Sequence, residues 1–422
     1  MSPWSGGGPY GASRVYALGV AERYELAIVG GGIVGLATAY RLLEARPGIR
    51  LAVLEKEPAL AEYQSGRNSG VVHAGLYYAP GSLKARLCRE GKDALERFCE
   101  EHAVPFERCG KLVVAVDESE LPRLTELRAR GEANGLRGLE EVGPERIAEI
   151  EPHAAGIRAL HLAKTGIVDF RRVALAYADE VRARGGQILL DHRVTAIDKG
   201  RDELVVHTSQ GPILTRNLIT CAGLQSDRVA RMSGAPETMR VVPFRGDYCT
   251  LKPHARDLVR GLIYPVPDPA FPFLGVHFTR RIDGEVWAGP NAVLAFARER
   301  YGRFDLSPRD LAATLAYPGF RRLARRYWRT GLAEMRRDWS RRAFVEACRR
   351  LVPDLGPDDV EWGPSGIRAQ AVLGSGDLAD DFSVQASERI LHVRNAPSPA
   401  ATASLAIGRV LAERAIERFD LG

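Results

Sequence analysis

Several things are scarce in this sequence, and each scarcity removes a class of protein. Its six cysteines, at positions 88, 99, 109, 221, 249 and 348, include no Cys-x-x-Cys pair, and there is no Asn-x-Ser/Thr sequon. Thiols scattered so widely in a chain of 422 residues argue against a disulfide framework or a zinc module, and for a reducing compartment. No spacing of His, Cys, Asp and Glu suggests a metal site. No apolar run approaches the roughly 18 residues of a membrane-spanning helix. Residues 1–23 hold Gly, Ser and Pro but no apolar core of a secretory signal. They read as a flexible N-terminal extension, and the protein as cytoplasmic.

Lysine is scarce too: seven against 52 arginines, within a formal net charge of +6. That excess would suit nucleic acid, an anionic membrane or an acidic ligand. No aromatic-plus-basic RNA motif and no helix-turn-helix pattern accompanies it, so nucleic acid is not expected. What remains is ordinary: 45% apolar and 27% charged residues, in a length that suggests two or three domains.

The chemistry starts after Tyr24. Residues 26–29 form a short apolar run, as a buried parallel strand requires. It leads into Gly30-Gly31-Gly32-Ile33-Val34-Gly35, which satisfies G-x-G-x-x-G. Gly30 permits the tight turn, Gly32 lets backbone approach a pyrophosphate, and Gly35 lets the helix lie close to the strand. The helix runs to about Arg46, and its first amides would face the phosphates. A second strand over residues 50–54 ends in Glu55, 20 positions after Gly35. A carboxylate there accepts the ribose hydroxyls of an adenosine and would repel a 2′-phosphate. FAD and NAD both remain. Instead of a further strand–helix repeat, a polar loop over 61–80 and a helix over about 81–102 follow. Later come an apolar strand ending in Ala222-Gly223 and a strand, small-residue loop and helix over 390–419. A nucleotide domain assembled from such separated pieces is, by analogy of fold, the flavoprotein arrangement, which favours FAD.

Longer strings narrow this further. Ser65-Gly66-Arg67-Asn68-Ser69-Gly70-Val71-Val72-His73-Ala74-Gly75-Leu76-Tyr77-Tyr78 is followed by Pro80-Gly81-Ser82-Leu83-Lys84. With Pro243-Phe244-Arg245-Gly246, Tyr264-Pro265-Val266-Pro267-Asp268, Gly275-Val276-His277-Phe278-Thr279 and Asn395-Ala396-Pro397-Ser398-Pro399-Ala400, the chain from Tyr24 onward resembles the L-2-hydroxyglutarate oxidase/dehydrogenase family. The resemblance implies an α/β fold: a Rossmann-like FAD-binding domain of the D-amino-acid-oxidase type, interwoven with a mixed β-sheet substrate domain. It implies oxidation of L-2-hydroxyglutarate to 2-oxoglutarate by hydride transfer to flavin N5. Electrons would pass to oxygen or to a respiratory-chain acceptor such as a quinone. Competing readings are a related flavoenzyme acting on glycerol 3-phosphate or an amino acid, and a nucleotide-binding redox sensor without turnover.

Such an oxidation needs a base for the hydroxyl proton, and imidazole is the usual one. His73 and His277 lie within the strings above; either could instead be a packing histidine. The substrate is a small dicarboxylate, and arginine grips a carboxylate with two parallel hydrogen bonds. Arg245, followed by glycine, and Arg368, between glycine-bearing turns, are the candidates, with Tyr264 as a further donor. Against each arginine stands an ordinary surface role. Arg67, Asn68 and Ser69 are expected along the flavin's path from phosphate to ring. Pro399, Ala400 and Thr402 are expected where the last helix opens, unless Thr402 is simply a cap.

Between residues 320 and 350 arginines alternate with Leu, Trp, Met and Phe. Such a stretch is either a solvated helical face or a peripheral membrane contact. The expected division is an FAD-binding domain from 24–105, 155–235 and 355–422, and a substrate domain from 106–154 and 236–354.

Overall fold

Alternation of apolar strands with helices that are buried along one side builds two sheets around a shared interior. The computed structural model describes residues 22–268 and 275–421. At the centre of the first sheet lies Arg23–Val29, fully apolar at its end. It pairs in parallel with Leu51–Leu54 on one side and Gly211–Thr220 on the other. Gln187–Leu189 extends the sheet past Leu51–Leu54. On the far side Gly211–Thr220 makes an antiparallel pair with Leu204–Thr208, and its last residues pair in parallel with Ile390–Asn395. The whole sheet has eight strands. A parallel sheet must be covered on its faces. Helix Ile33–Ala45 does this, packed against Phe170–Ala183 and Ser404–Phe419.

A second sheet has nine strands and is mostly antiparallel. Its spine is the long pair Met239–Leu251 and Val360–Leu373, in register from Met239 opposite Leu373 to Leu251 opposite Val360. Val286–Gly289, His277–Arg280, Leu262–Pro265, Leu112–Ala115, Arg158–Leu162 and Leu139–Val142 continue it in that order. Its hydrophobic side packs on Phe344, Val345, Cys348 and Leu355 from the segment that follows the arginine-rich helix.

The elements expected around the glycine turn are present within one to three residues. The domain limits need correction. Arg158–Leu162 and Val360–Leu373, placed with the FAD-binding pieces by sequence, pair within the second sheet. Their alternation of apolar residues fits either sheet, and only strand pairing decides. The expected extension over 1–23 lies outside the described residues, apart from its last two. Residues 273–279 also read as a strand in sequence; 273 and 274 lie outside the described residues, and the strand spans His277–Arg280. The described cysteines are all unpaired thiols.

Candidate active site

The glycine turn is tight for a steric reason. Gly30 adopts φ +115°, and a Cβ there would lie 2.4 Å from the Cys221 carbonyl oxygen. At Gly35 a Cβ would lie 2.0 Å from the Gly30 carbonyl oxygen, so helix and turn approach as closely as backbones can. Gly32 precedes the helix, and the Ile33 amide donates to Ser65 Oγ at 2.9 Å. Glu55 is buried, its Oε2 accepting from the Gly31 amide at 2.8 Å and its Oε1 from the Glu57 amide at 3.0 Å. Burial pushes its carboxyl up, while those two amides and Lys56 oppose the shift. The amides fix the carboxylate's direction and leave lone pairs for further donors.

From this turn a cavity of about 1260 Å³ runs between the two sheets. Gly30, Gly32, Glu55, Arg67, Asn68 and Ser69 line it, as do Ala222, Gly223, Pro399, Ala400 and Thr402. His73, Tyr264, His277 and Arg368 also stand in its wall. Asn68 braces its own loop, donating through Nδ2 to the Ser65 carbonyl oxygen at 2.7 Å and accepting from the Gly70 amide at 2.9 Å. Arg67 lies over the Tyr301 ring, 4.3 Å from its centroid. Thr402 is not a helix cap; its Oγ1 accepts from the His73 amide at 3.1 Å and so ties the last-helix loop to the histidine loop.

His277 is buried, and its ring stacks on Tyr264 at 3.9 Å between centroids. Its Nδ1 lies 3.0 Å from the Gly275 carbonyl oxygen. Donation there places the lone pair of the neutral ring on Nε2. Burial pulls the imidazolium of His277 and of His73 down to about 3, and the positive charge of Lys111 adds to this in both. Both rings are therefore neutral near pH 7 and able to accept a proton. His392 shows the contrast. Its two nitrogens are used by Thr220 Oγ1 at 2.8 Å and Ser233 Oγ at 2.9 Å, so it is a packing histidine.

The two candidate arginines part company. Phe244 and Arg368 are directly opposed across the long antiparallel pair, as are Arg245 and Ile367. Side chains alternate between faces along a strand, and opposed residues share a face. Arg368 therefore faces the cavity with Gly246 and Tyr248, and Arg245 points away. Arg245 is instead buried against two carboxylates. Its Nε donates to Asp247 at 3.0 Å, its Nη2 to Asp338 Oδ2 at 2.9 Å and its Nη1 to the Arg303 carbonyl oxygen at 2.7 Å. It is a structural anchor rather than a substrate ligand. Arg368 is held in the interior, where burial weakens its hold on a proton and Tyr248, Glu334 and Tyr264 oppose that effect.

Sequence reasoning passed over Tyr77, Tyr78 and Tyr248, which also line the cavity, and Lys111 behind it. The tyrosines stand inside or beside the quoted strings, so residue type and motif could have raised them. Nothing around Lys111 in the sequence marks it.

Comparison with known proteins agrees with this geometry. Residues 25–414 match the model of the FAD dependent oxidoreductase family. The mitochondrial L-2-hydroxyglutarate dehydrogenase of Nematostella vectensis is 49% identical, over 97% of this chain and 96% of that one. The L-2-hydroxyglutarate dehydrogenase of Indibacter alkaliphilus is 48% identical, over 94% of this chain and 100% of that one. Among solved structures, the dithionite-reduced L-α-glycerophosphate oxidase of Mycoplasma pneumoniae with FAD bound shares the fold. Its TM-score is 0.77 and its identity 22%, over 94% of this chain and 95% of that chain. Glycine oxidase of Geobacillus kaustophilus gives a TM-score of 0.70 at 18% identity, over 94% of this chain and 95% of that chain. The glycine turn, the oriented Glu55 and the cavity running from them fit FAD. The chain belongs to the L-2-hydroxyglutarate dehydrogenase family of FAD-dependent oxidoreductases.

Proposed function

We propose that this protein oxidises L-2-hydroxyglutarate to 2-oxoglutarate. The observation that carries the reading is the wall of the cavity, where His277 stacks on Tyr264 and both neutral histidines share the lining with Arg368. Relatives at 48–49% identity that carry the name of this dehydrogenase support it.

FAD would be held by Gly30, Gly32, Glu55 and the loop of Arg67, Asn68 and Ser69, with Ala222, Gly223, Pro399 and Ala400 along its length. When bound, it supplies the two-electron acceptor that this oxidation requires. The chain's own residues supply the rest. Arg368 and Tyr264 bind and orient a carboxylate. His277, its tautomer set by Gly275, takes the hydroxyl proton at Nε2, and His73 shares the same wall. Tyr264 and the surrounding sheet keep water from the reacting carbon.

The electron acceptor is oxygen or a membrane quinone. A peripheral contact with an anionic bilayer suits the quinone. Helix Pro318–Trp339 exposes Trp328 at 55%, Leu332 at 57% and Trp339 at 66%. After the kink at Tyr327, exposed Arg329 and Arg336 share that side at helical spacing. No helix among the described residues is long and apolar enough to cross a membrane.

Purified protein is expected to be yellow and to bleach anaerobically with L-2-hydroxyglutarate, but not with the D-enantiomer, glycerol 3-phosphate or glycine. Bleaching by one of the latter instead would overturn the substrate assignment.

A further inference from the structure

Lys111 is a cation in an unusual place. It is buried at 4% exposure, and its Nζ lies 4.0 Å from the centroid of the Tyr264 ring and 4.3 Å from that of Tyr77. Both rings line the cavity. No carboxylate of the described residues forms an ion pair with it, whereas the other buried lysines, Lys84 and Lys92, pair with Asp380 and Glu96. A lysine buried with aromatic faces as its partners keeps some stabilisation from the ring quadrupoles. No described residue supplies a counter-ion to cancel its field, and in a low-dielectric interior that field reaches an anion placed beyond the rings. The groups facing it are Tyr77 and His73 from the loop, Cys88 from helix Leu83–Glu101, and Tyr264 and His277 from the second sheet; Arg368 lies farther along the same site. None of these is an acid ionised at neutral pH.

We propose that Lys111 is a positioning residue of the substrate end: acting through the rings of Tyr77 and Tyr264, its buried ammonium supplies the second positive charge, beside Arg368, that a dicarboxylate requires. The inference rests on the substrate reading above. A dianion needs two compensating charges, and Arg368 provides one of them. Burial pulls the Lys111 ammonium down to about 7, so the free protein holds that charge only part of the time at neutral pH. A dianion favours the protonated form, so binding near pH 8 draws a proton onto Lys111. Affinity for a dicarboxylate then falls as pH rises through neutrality.

The test uses the FAD-loaded protein and glutarate, the dicarboxylate that lacks the hydroxyl group and is not oxidised. Calorimetry at about pH 8 in two buffers of different ionisation heat reads proton uptake on binding. Wild type should take up a sizeable fraction of a proton, and Lys111→Met none. KM for L-2-hydroxyglutarate should rise about 10- to 100-fold in Lys111→Met, with kcat changed only a few-fold. Lys111→Arg, which cannot lose its proton, should bind glutarate with no pH dependence between about pH 6 and pH 9. Equal proton uptake and equal KM in wild type and Lys111→Met would overturn the inference. If Lys111→Met does not retain flavin, wild type and Lys111→Arg decide it: proton uptake absent from wild type, or a pH dependence unchanged in Lys111→Arg, overturns it. Failure of the substrate reading looks different, since wild type would then not be bleached by L-2-hydroxyglutarate at all.

Discussion

An imidazole serves as a base only while it is unprotonated, and at His277 burial secures this. An ordinary histidine, near 6.5, would be half protonated at that pH. With His73 and His277 both drawn to about 3, each stays neutral on the acid side of neutrality. On this reading kcat/KM shows no acid limb from about pH 7 down to about pH 5, because the proton acceptor is present throughout while Lys111 gains its charge. An acid limb centred near pH 6.5 in the wild-type profile would show that a solvent-exposed group, not His277, accepts the proton. His277→Asn should lose about 10²–10⁴-fold in kcat with the flavin spectrum unchanged. The same residue scale shows how little of a role residue type conveys. Arg245 and Arg368 looked equivalent in sequence, and a one-residue difference in strand phase sends one to the cavity and the other to a buried ion-pair cluster.

That cluster belongs to the scale of elements, since it fastens the arginine-rich helix to the long strand. Asp338, near the end of Pro318–Trp339, accepts from Arg245 and also from Asn291 Nδ2 at 2.7 Å. Asp247 lies in the same interior, where burial and the neighbouring Asp338 carboxylate push its carboxyl above the ordinary range, against the pull of Arg245. The sign of its contribution follows. The folded protein retains a proton that the unfolded chain has released, so this group's contribution to stability is present at low pH and is lost as pH rises toward neutrality. Asp247→Asn, which mimics the protonated form, should therefore gain thermal stability relative to wild type on going from about pH 5 to about pH 8. A difference in Tm that is constant or moves the other way across that range would show that Asp247 is ionised throughout. The arginine excess is partly explained at this level too: Arg298 is buried against Asp227, as Arg245 is against Asp338, and neither is surface charge.

For the whole molecule, the exposed Trp328, Leu332 and Trp339 beside arginines tie the destination of its electrons to its location. If this face meets anionic lipid, the protein should sediment with phosphatidylglycerol-rich vesicles at low salt, and about 0.5 M salt should release it, because the Debye length there is only a few ångströms. Replacing Trp328 and Trp339 by serine should abolish sedimentation without changing turnover with a soluble dye. Recovery of wild type in the supernatant at low salt would leave oxygen or a soluble carrier as the acceptor. How much of this could be read beforehand depended on the kind of signal. The turn from Gly30 to Gly35, the helix behind it and Glu55 were legible because local sterics and hydrogen bonding require those residues at that spacing. His73, His277 and Arg368 were legible as candidates from the strings that contain them. Lys111 was not, since its role depends on Tyr77 and Tyr264, which are 34 and 153 positions away.

The sequence by itself determined the nucleotide-binding start, the helix and strand periods of most elements and the family, because each of these is written in short-range patterns of residue type. Only the tertiary structure decided which sheet Arg158–Leu162 and Val360–Leu373 join, which arginine faces the cavity, and that Lys111 is buried with no acid beside it among the described residues. Those outcomes depend on strand register, on pairing between distant segments and on burial. Each arises when remote parts of the chain exclude water together, and no local window of sequence contains that information.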